Sequence, residues 1–403
     1  MQNNILIISG VFPPEPVVSA KLSFDIANEL IKANEVVVLS PKPTRPYGYD
    51  FSQEEVKKCD FKHIVLDSYT QPKSKFFGRF RESYSFGKHC QKFICKNKDD
   101  IGTIYANTWP LFGQFLAVKA AKKYNIPIII HVQDIYPESF ANKIPLLGKL
   151  CNIFLLPIDR YVLKHSTHII AISEKMKNYL AQTRSVSSSK ITVVQNWQDE
   201  EAFIQYKQIH TASETDKFKF MYLGNIGPVA GVELLINAFI HANLSDAELI
   251  IAGSGSMKEK LKNRYLGQNN IEFWDVPDGK VPEIQAKADV MLLPIKKGAA
   301  SSSIPSKLPA YMFSAKPIIA CVDKNTDTAD AIEQSDCGWV LPSEDVFILS
   351  TKLQEVINLP KDKLVRKGEN GRNYALKNLS KKENLRKLLS IIEKTYDNTN
   401  SKN

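Results

Sequence analysis

With 403 residues, the chain is too long for one ordinary hydrophobic core, so we expect two domains. Its six cysteines lack C-x-x-C spacing, which argues against a zinc site or a redox pair, and no apolar run approaches the roughly 20 residues that span a bilayer. A formal net charge of +10 favours anionic partners, which include nucleotides, nucleic acid and an anionic membrane surface.

In the first half of the chain, short apolar runs alternate with segments of helical period such as 20–32. The runs are Ile5–Ile8, Val36–Leu39, Thr103–Ala106, Ile126–His131, Thr167–Ile172 and Ile191–Val194. Runs of β-branched residues and leucine between turns are typical of strands buried on both faces, so the alternation predicts a parallel sheet with crossover helices. The first run is too short for a signal-peptide core, and we therefore expect a cytoplasmic protein.

A second series of the same kind follows a polar, weakly patterned segment at 199–217. Its runs are Phe218–Leu223, Ala247–Ala252, Ile271–Trp274, Val290–Leu293 and Pro317–Cys321. The fold class that this predicts is α/β, with two doubly wound Rossmann-like domains facing a central cleft. The predicted domains are residues 1–202 and residues 218–375, joined by a linker at 203–217.

The stretch Ser301–Ala320 is the most informative motif of the chain. A Ser/Pro-rich turn leads into a short apolar helix whose first turn carries Ser306 and Lys307, and Lys316-Pro317 ends that helix before an apolar strand. A helix start offers unpaired N–H groups and partial positive charge, and Lys307 adds a full charge. This segment therefore predicts a phosphate site.

Two glycine turns are expected beside this phosphate site. Gly224 and Gly227 follow the predicted strand 218–223, and Gly253 and Gly255 follow a neighbouring strand. Glycine lets the backbone approach a ligand closely and aim N–H groups at it, although such a turn can also be a plain strand–helix connection. G-x-G-x-x-G is absent after the first strand, and no Walker A loop or D-x-D occurs, so we expect neither a dinucleotide site nor a metal-bridged diphosphate.

Polar groups that follow strands of the first half are candidates for acid–base or hydroxyl contacts. His131 and Asp134 could steer hydroxyls or transfer protons, but they could equally cap a buried strand and the next helix. Glu15, at the end of the stiff turn Pro13-Pro14-Glu15, could hydrogen-bond a sugar or simply be solvated.

The segment Lys73–Lys98 carries eight basic residues against one acid, interleaved with aromatic side chains. We favour attachment in the plane of an anionic membrane, with an ordinary half-wet helix and nucleic-acid binding as the alternatives. The residues assigned to the membrane contact are Lys75, Phe76, Phe77, Arg79, Phe80 and Arg81.

Several segments, taken in order, resemble one family over nearly the whole chain. They are Phe12–Glu15, His131–Ser139, Ile170–Met176, Asn196–Trp197, Tyr222–Gly227 and Ile304–Lys307, followed by Tyr311–Met312 and Lys316–Pro317. The chain resembles the family 4 retaining glycosyltransferases of the GT-B fold, and among them it looks most like the bacterial L-fucosamine (FucNAc) transferases of capsule and O-antigen assembly.

The resemblance implies that the C-terminal half binds a nucleotide-sugar donor, that the N-terminal half binds the acceptor, and that a helix within 376–403 crosses back to the first domain. The implied donor-binding residues are Gly224, Asn225, Gly227, Gly253, Gly255, Trp274, Val276, Ser306, Lys307 and Leu308. The implied catalytic residues are His131, Asp134 and Lys307. The implied acceptor-binding residues are Glu15, Lys21 and Asn107.

The resemblance also implies a reaction. An N-acetylated deoxyhexosamine such as L-FucNAc would move from a UDP-sugar to a polyprenyl-diphosphate-linked saccharide during assembly of a bacterial surface polysaccharide. The enzyme would use no metal or other cofactor, would bind no nucleic acid, and would act as a peripheral protein on the inner face of the cell membrane.

The chain departs from the family pattern at four positions. The usual Glu-x7-Glu pair falls on Ser302 and Ala310, and the usual arginine and lysine of the glycine loop fall on Asn225 and Ala230. Two alternatives therefore stay open. One is a UDP-N-acetylhexosamine 2-epimerase with the same fold, and the other is a non-catalytic, membrane-associated scaffold.

Overall fold

A computed structural model of the protein describes residues 4–45, 47–51, 59–73, 76–107, 111–141, 148–206, 217–228, 230–297 and 304–400. The chain divides into two compact units. Unit 1 contains Met1–Asn196 together with Asn384–Asn403, and unit 2 contains Trp197–Glu383. The first boundary therefore lies six residues before the predicted end of the first domain at 202, and the last residues of the chain belong to unit 1.

The sheet of unit 1 is parallel and has seven strands in the order β3-β2-β1-β4-β5-β6-β7. The strands are β1 (Asn4–Ser9), β2 (Val36–Pro41), β3 (Lys62–Leu66), β4 (Ile101–Asn107), β5 (Ile128–Val132), β6 (His168–Ala171) and β7 (Ile191–Val193). The central strands β1, β2, β4 and β5 are buried almost throughout, as their continuous apolar runs predict.

Helices cover both faces of this sheet. They are α1 (Val18–Leu30), α2 (Phe76–Lys96), α3 (Phe112–Lys123), α4 (Glu138–Ala141), α5 (Gly148–His165) and α6 (Glu174–Arg184). Helices α2, α3, α5 and α6 share one core with Leu6, Ile104 and Ile130 of the sheet, whereas the buried face of α1 lies outside that core. The side chains of α2 that reach the core, Phe86, Cys90 and Ile94, are four residues apart, close to the helical period of 3.6 residues.

Unit 2 has a parallel six-stranded sheet in the order β10-β9-β8-β11-β12-β13. Its strands are β8 (Phe218–Leu223), β9 (Ala247–Ala252), β10 (Ile271–Trp274), β11 (Val290–Pro294), β12 (Ile318–Cys321) and β13 (Gly338–Leu341). Its helices are α7 (Glu201–Gln205), α8 (Val232–Ala242), α9 (Lys258–Arg264), α10 (Val281–Ala286), α11 (Lys307–Phe313), α12 (Asp327–Ser335), α13 (Val346–Ile357) and α14 (Lys361–Asn378).

The last helix, α15 (Lys381–Asn400), begins in unit 2 and continues in unit 1. Its buried side chains are spaced by three or four residues, at Leu385, Leu388, Ile392 and Tyr396. The N-terminal end is tied to the end of β7 by a hydrogen bond from the Gln195 N–H to the Asn384 side-chain oxygen, at 3.2 Å. This spacing explains why a largely polar tail forms one amphipathic helix.

Successive residues of the strands of unit 2 enter two different cores. Met221 and Ile250 pack on one face of the sheet, and their neighbours Phe220 and Leu249 pack on the other. Helices on both faces of a parallel sheet make each unit doubly wound, which confirms the predicted fold class. Two edge strands, β3 and β13, were not predicted, because their partly exposed residues break the continuous apolar pattern.

The strand order reverses beside the first strand of each sheet, between β1 and β4 and between β8 and β11. Such a reversal opens a crevice at the carboxyl ends of the strands, where doubly wound folds bind ligands. Among the described residues, no helix combines the length and the hydropathy needed to cross a membrane.

Candidate functional site

Lys307 lies at the first position of α11 and reaches the end of β8. Its Nζ donates a hydrogen bond to the phenol oxygen of Tyr222 at 2.7 Å and lies 4.7 Å from the centre of that ring. Burial lowers the pKa of the Lys307 ammonium and raises the pKa of the Tyr222 phenol, so the phenol is a neutral partner. Within the described part of the chain, no carboxylate pairs with Lys307, which leaves its charge available to an anion.

The first glycine turn is tied to α11 by two tyrosines. The Tyr222 hydroxyl donates to the Asn225 carbonyl at 2.7 Å. The Tyr311 hydroxyl accepts from the Leu223 N–H at 3.0 Å and donates to the Leu223 carbonyl at 2.8 Å. Because Lys307 and Tyr311 are four residues apart on one helix, both side chains face the end of β8. The position of the Lys307 amine is therefore set by β8 and α11 together.

The two glycine turns lie directly against each other. At Gly253, φ is +128°, and a Cβ there would lie 2.1 Å from the Gly224 carbonyl oxygen, so only glycine fits. Backbone hydrogen bonds join the turns, from the Ile226 N–H to the Ser254 carbonyl at 2.8 Å and from the Met257 N–H to the Ile226 carbonyl at 3.0 Å. The glycines therefore allow close contact between two loops as well as approach to a ligand.

Lys258, the first residue of α9, joins the ends of β9 and β10. Its Nζ donates to the carbonyl oxygens of Gly253 at 2.9 Å and Trp274 at 3.0 Å, and to Asp275 Oδ1 at 2.7 Å. The Trp274 indole N–H donates to Glu272 at 2.6 Å. Val276 is partly buried against the core of unit 2. These contacts order the segment that contains Trp274 and Val276, two of the predicted donor-binding residues.

A cavity of about 240 Å³ opens at the strand reversal of unit 2. It lies between the first glycine turn, the start of α8 and the residues that follow β11, with Gly227, Gly231 and Pro294 in its wall. Glu233, Lys296 and Glu344 are its charged lining residues. Cavities for whole small-molecule ligands usually start near about 300 Å³, so this one has room for part of such a ligand.

In unit 1, His131 is the next-to-last residue of β5, and its side chain is turned inward. The imidazole is 2% exposed. Its Nδ1 lies 2.6 Å from the Tyr105 hydroxyl, and its Nε2 lies 3.0 Å from the side-chain nitrogen of Gln133. Burial lowers the pKa of His131 to about 3, so the ring is neutral near pH 7. This geometry favours the structural alternative for the imidazole, whereas Asp134 is exposed.

The predicted acceptor residues occupy three different environments. Glu15 is buried, and its Oε1 accepts from the backbone N–H groups of Thr44 at 2.8 Å and Arg45 at 2.9 Å. Asn107 is buried at the end of β4, where its amide donates to the Ser23 hydroxyl at 3.2 Å. Lys21 is exposed on α1. The carboxylate of Glu15 therefore holds the loop after β2, and an acceptor contact by any of the three stays a prediction.

The described residues contain no cluster of three or more His, Cys, Asp or Glu side chains that could hold a metal ion. Among those residues, the positive charge that faces the first glycine turn comes from the Lys307 side chain.

Comparisons with known proteins agree with this architecture. Residues 20–202 match the family described as Glycosyltransferase Family 4, and residues 217–358 match the family described as Glycosyl transferases group 1. Both models describe glycosyltransferases and together they cover most of the chain, so the chain is a glycosyltransferase. The structure of HepE from Anabaena in complex with UDP superposes with a TM-score of 0.70 at 14% identity, covering 97% of this chain and 100% of that chain. The fold class is therefore that of the GT-B glycosyltransferases.

Two curated relatives match this chain over part of their own length. WbjE of Pseudomonas aeruginosa, named as a glycosyltransferase, is 22% identical over 247 residues, which cover 57% of this chain and 60% of that protein. WcaI of Escherichia coli (strain K12), named as a glycosyl transferase of colanic acid biosynthesis, is 24% identical over 293 residues, covering 68% of this chain and 69% of that protein.

Some residues predicted for this glycosyltransferase point elsewhere in the structure. Leu308 is fully buried in the core, and its N–H donates to the Pro305 carbonyl at 3.0 Å, so neither group faces a donor. Ser306 precedes α11 and is exposed, but its side chain makes no capping hydrogen bond. Ala310 is buried, and Ser302 lies outside the described residues.

Some of the residues predicted to contact a membrane pack inside unit 1, and others are exposed. Arg79 donates to the buried carboxylate of Glu82 at 2.9 Å. Phe80 packs on Phe112 with ring centres 5.6 Å apart. These two side chains are therefore used inside unit 1, because α2 turns them toward its neighbours. Phe77 and Arg81 are exposed, whereas Lys75 and the side chain of Phe76 lie outside the described residues.

Three residues of the glycosyltransferase site were not predicted as site residues: Tyr222, Tyr311 and Lys258. Each had a signal in the sequence. Tyr222 lies two positions before Gly224, Tyr311 lies one helical turn after Lys307, and Lys258 lies one turn after Gly255. Such spacing places a side chain beside the turn in question, but only the folded chain shows which carbonyl it contacts.

Proposed function

We propose that this glycosyltransferase is a metal-independent, retaining enzyme of family 4. It transfers an N-acetylated deoxyhexosamine such as L-FucNAc from a UDP-sugar to a polyprenyl-diphosphate-linked saccharide in the assembly of a bacterial surface polysaccharide. Unit 2 binds the donor, unit 1 binds the acceptor, and the enzyme works in the cytoplasm at the inner face of the cell membrane.

The observation that carries this proposal is the environment of Lys307. Its ammonium is half-buried at the end of β8 and is held by a neutral phenol. A cation that already paired with a carboxylate would have to give up that partner to bind phosphate. Lys307 gives up one neutral hydrogen bond, so more of its charge reaches the incoming diphosphate.

The chemistry needs a stabilised leaving group. When the bond between the anomeric carbon and the diphosphate oxygen breaks, negative charge grows on the nucleoside diphosphate. Lys307 and the N–H groups of Asn225 and Gly227 would receive that charge, whereas the N–H groups of Gly224 and Ile226 donate to backbone carbonyls. Preorganised donors of this kind each lower the barrier by about 3–4 kcal/mol. The acceptor hydroxyl then attacks from the face that the diphosphate leaves and gives its proton to the departing phosphate oxygen, so the anomeric configuration is retained.

The comparisons support the substrate class in two ways. HepE, whose fold is shared over nearly the whole chain, was solved with UDP, and a second HepE structure holds UDP and glucose. WcaI is named for the biosynthesis of colanic acid, a polysaccharide. The FucNAc donor and the polyprenyl acceptor rest on the motifs that resemble the L-fucosamine transferases.

The epimerase alternative needs positioned acid and base groups. His131 is neutral and points into unit 1, where Tyr105 and Gln133 occupy its ring nitrogens, so it is poorly suited to transfer protons with a substrate. The scaffold alternative makes a different prediction, because a scaffold needs no nucleotide at Lys307.

A thermal-shift experiment tests the proposal. A ligand that binds only the folded state at about 100 times its Kd stabilises the protein by roughly 2.7 kcal/mol. We expect UDP to raise the melting temperature more than GDP or ADP, and we expect Lys307→Met to abolish that difference. The matched control is Lys363→Met, which removes an exposed lysine of α14. No nucleotide effect on the wild-type protein would reject the donor site, and UDP binding without transfer from UDP-sugars to a lipid-linked acceptor would favour the scaffold.

A further inference from the structure

Helices α2, α3 and α5 lie side by side on one face of the sheet of unit 1, with α3 in contact with both neighbours. Their sequences contain eleven Lys and Arg residues and two acids. Both acids are buried ion-pair partners, Glu82 with Arg45 and Arg79, and Asp159 with Arg184. The outer surface of these three helices therefore presents cationic side chains without a carboxylate.

Five of the lysines surround one open groove of about 880 Å³. We call this the lysine groove and define it by Lys92, Lys96, Lys119, Lys122 and Lys123, all of which are exposed. The Tyr161 ring of α5 lines it, with the Nζ of Lys122 lying 5.7 Å from the ring centre. Within the described part of the chain, none of the five forms an ion pair.

An ordinary explanation of these lysines is that they offset the dipoles of helix ends, since α2 and α3 finish beside the groove. A helix C-terminus carries roughly half a negative charge, so these two helix ends supply about −1 in total. The five lysines carry about +5 by comparison. Most of their charge is therefore not balanced by the helices, and the groove remains strongly cationic.

The groove continues into a stripe along α2. The stripe consists of Phe77, Arg81, Tyr84, Lys88, Lys92 and Lys96, which are spaced by three or four residues and so share one helix face. Phe77 is 83% exposed at one end of the stripe, and the lysines occupy the other end. Helix α5 adds two more exposed apolar side chains, Ile153 and Phe154. With 21 residues, α2 presents this combination over about 31 Å.

We propose that the lysine groove and the stripe form a docking surface for a bilayer that contains anionic phospholipid. The lysines bind the phosphate groups of the lipids, and Phe77, Ile153 and Phe154 enter the region between headgroups and acyl chains. Basic residues and exposed apolar side chains along one surface are what in-plane membrane contact requires. A soluble polyphosphate or a nucleic acid would bind the lysines but would gain nothing from the apolar end.

This surface extends the predicted membrane contact from the start of α2 to residues on α3 and α5. The lysine groove within it is also separate from the proposed site of transfer. Helix α2 ends at Lys96, shortly before β4 begins at Ile101, so the groove lies at the amino edge of the sheet of unit 1. Glu15, Asn107 and His131 lie at or beyond the carboxyl ends of their strands, at the opposite edge.

Vesicle flotation tests the proposal with the full-length protein. The vesicles contain phosphatidylcholine alone or phosphatidylcholine mixed with phosphatidylglycerol. The test variant combines Lys92→Ser, Lys96→Ser and Lys119→Ser. Its charge-matched control combines Lys260→Ser, Lys262→Ser and Lys363→Ser, three exposed lysines of unit 2. Melting temperature and UDP binding are measured for both, which separates loss of docking from loss of fold and from failure of the proposed transferase function.

We expect the wild-type protein and the control to float with the anionic vesicles at low salt and to leave them as salt is added. Each lysine near an anionic surface contributes about 1 kcal/mol, or about fivefold, so the test variant should lose on the order of 100-fold in partitioning. A Phe77→Ser variant should weaken binding with little change in its salt dependence.

Several results would overturn the proposal that this surface binds a membrane. They include equal partitioning of the test variant and the control, equal binding to neutral and anionic vesicles, and binding of inorganic polyphosphate or single-stranded DNA without binding to vesicles. If the test variant did not fold, the salt dependence of the wild-type protein and the Phe77→Ser variant would decide the question by themselves.

Discussion

The carboxyl edges of the two sheets share a topology but use charge in opposite ways. In unit 1, the carboxylates of Glu82 and Asp159 are buried and pair with arginines. In unit 2, Lys307 is half-buried beside the glycine turns with a neutral phenol as its partner. The comparison shows that one doubly wound architecture can hold buried, neutralised ion pairs in one unit and an anion-binding amine in the other.

Unit 1 contains two buried ion-pair clusters. Glu82 is paired with Arg45 and Arg79, each at 2.9 Å. The Arg184 side chain is fully buried and contacts Glu138 and Asp159, both at 2.6 Å. Burying such charges costs about as much as their attraction returns, so these clusters specify how helices and loops join more than they stabilise the fold. The predictions that follow test this contrast, from the largest expected effect to the smallest.

Arg184→Met should disrupt the buried cluster that Arg184 forms with Glu138 and Asp159. The change leaves Glu138 and Asp159 without their cation, and removal of one member of a buried ion pair typically costs 3–5 kcal/mol. We expect a loss of about that size in the free energy of unfolding, measured by urea denaturation. Arg160→Met is the matched control, because Arg160 is exposed on α5 and donates only to the Thr183 carbonyl. Equal losses in the two variants would contradict a special role for the buried cluster.

Lys307→Ala should impair the amine of unit 2 without impairing the fold. We expect turnover to fall by about 100- to 1,000-fold, which is about 3–4 kcal/mol of barrier, because a preorganised donor to the leaving group is lost. Lys307→Arg should recover part of the rate, since it keeps the charge. Steady-state transfer assays measure the effect, and near-normal turnover of the alanine variant would reject the assigned role.

Gly253→Ala should separate the two glycine turns. Its Cβ would lie 2.1 Å from the Gly224 carbonyl oxygen, so the loops must move apart. Gly267→Ala is the control for backbone strain, because Gly267 also has a positive φ, +96°, and no atom within 4 Å of the added Cβ. We expect Gly253→Ala to cost about 2 kcal/mol more than the control in thermal unfolding and to weaken UDP binding. Matching losses would show that close contact between the loops is not needed.

Tyr222→Phe should disorder the lysine while keeping the ring. It removes the acceptor of the Lys307 hydrogen bond and the donor to the Asn225 carbonyl, and a hydrogen bond of this kind contributes about 1 kcal/mol. We expect a five- to tenfold fall in kcat/KM. The same change in a Lys307→Ala background should have a smaller effect, because only the hydrogen bond to the Asn225 carbonyl is then lost. A full additive loss in that double variant would mean that Tyr222 acts independently of the lysine.

Glu15→Gln should change how stability depends on pH. Burial raises the pKa of Glu15 to about 7 from its usual 4.5, against the effect of the Thr44 N–H. Between these values the folded state keeps a proton that the unfolded chain has lost. The stability contribution of Glu15 is therefore full below pH 4.5 and is lost as pH rises through about 7, by roughly 1 kcal/mol per pH unit at most. The difference in unfolding free energy between wild type and variant should follow this slope, and a flat difference would show that Glu15 is ionised throughout.

The strands that carry the fold were predictable because both of their faces are buried. The runs Ile5–Ile8 and Val290–Leu293 are apolar and buried at every position, and that pattern is visible without a structure. Lys307 could be found in the same way, since its position after a Ser/Pro-rich turn and before an apolar helix is a local feature. The edge strands β3 and β13 could not be predicted in this way, because their residues are partly exposed and interrupt the apolar pattern.

The partners of the charged side chains depended on tertiary structure. Glu15 and Arg79 were assigned to an acceptor and to a membrane, yet one holds the loop after β2 and the other pairs with Glu82. Tyr222 and Lys307 are separated by 85 positions, and no local pattern predicts their contact. Burial along one element leaves a periodic pattern in the sequence, so the order of strands and helices could be read from residue types. A hydrogen bond between distant segments leaves no such pattern, because it exists only once the sheet has brought their ends together.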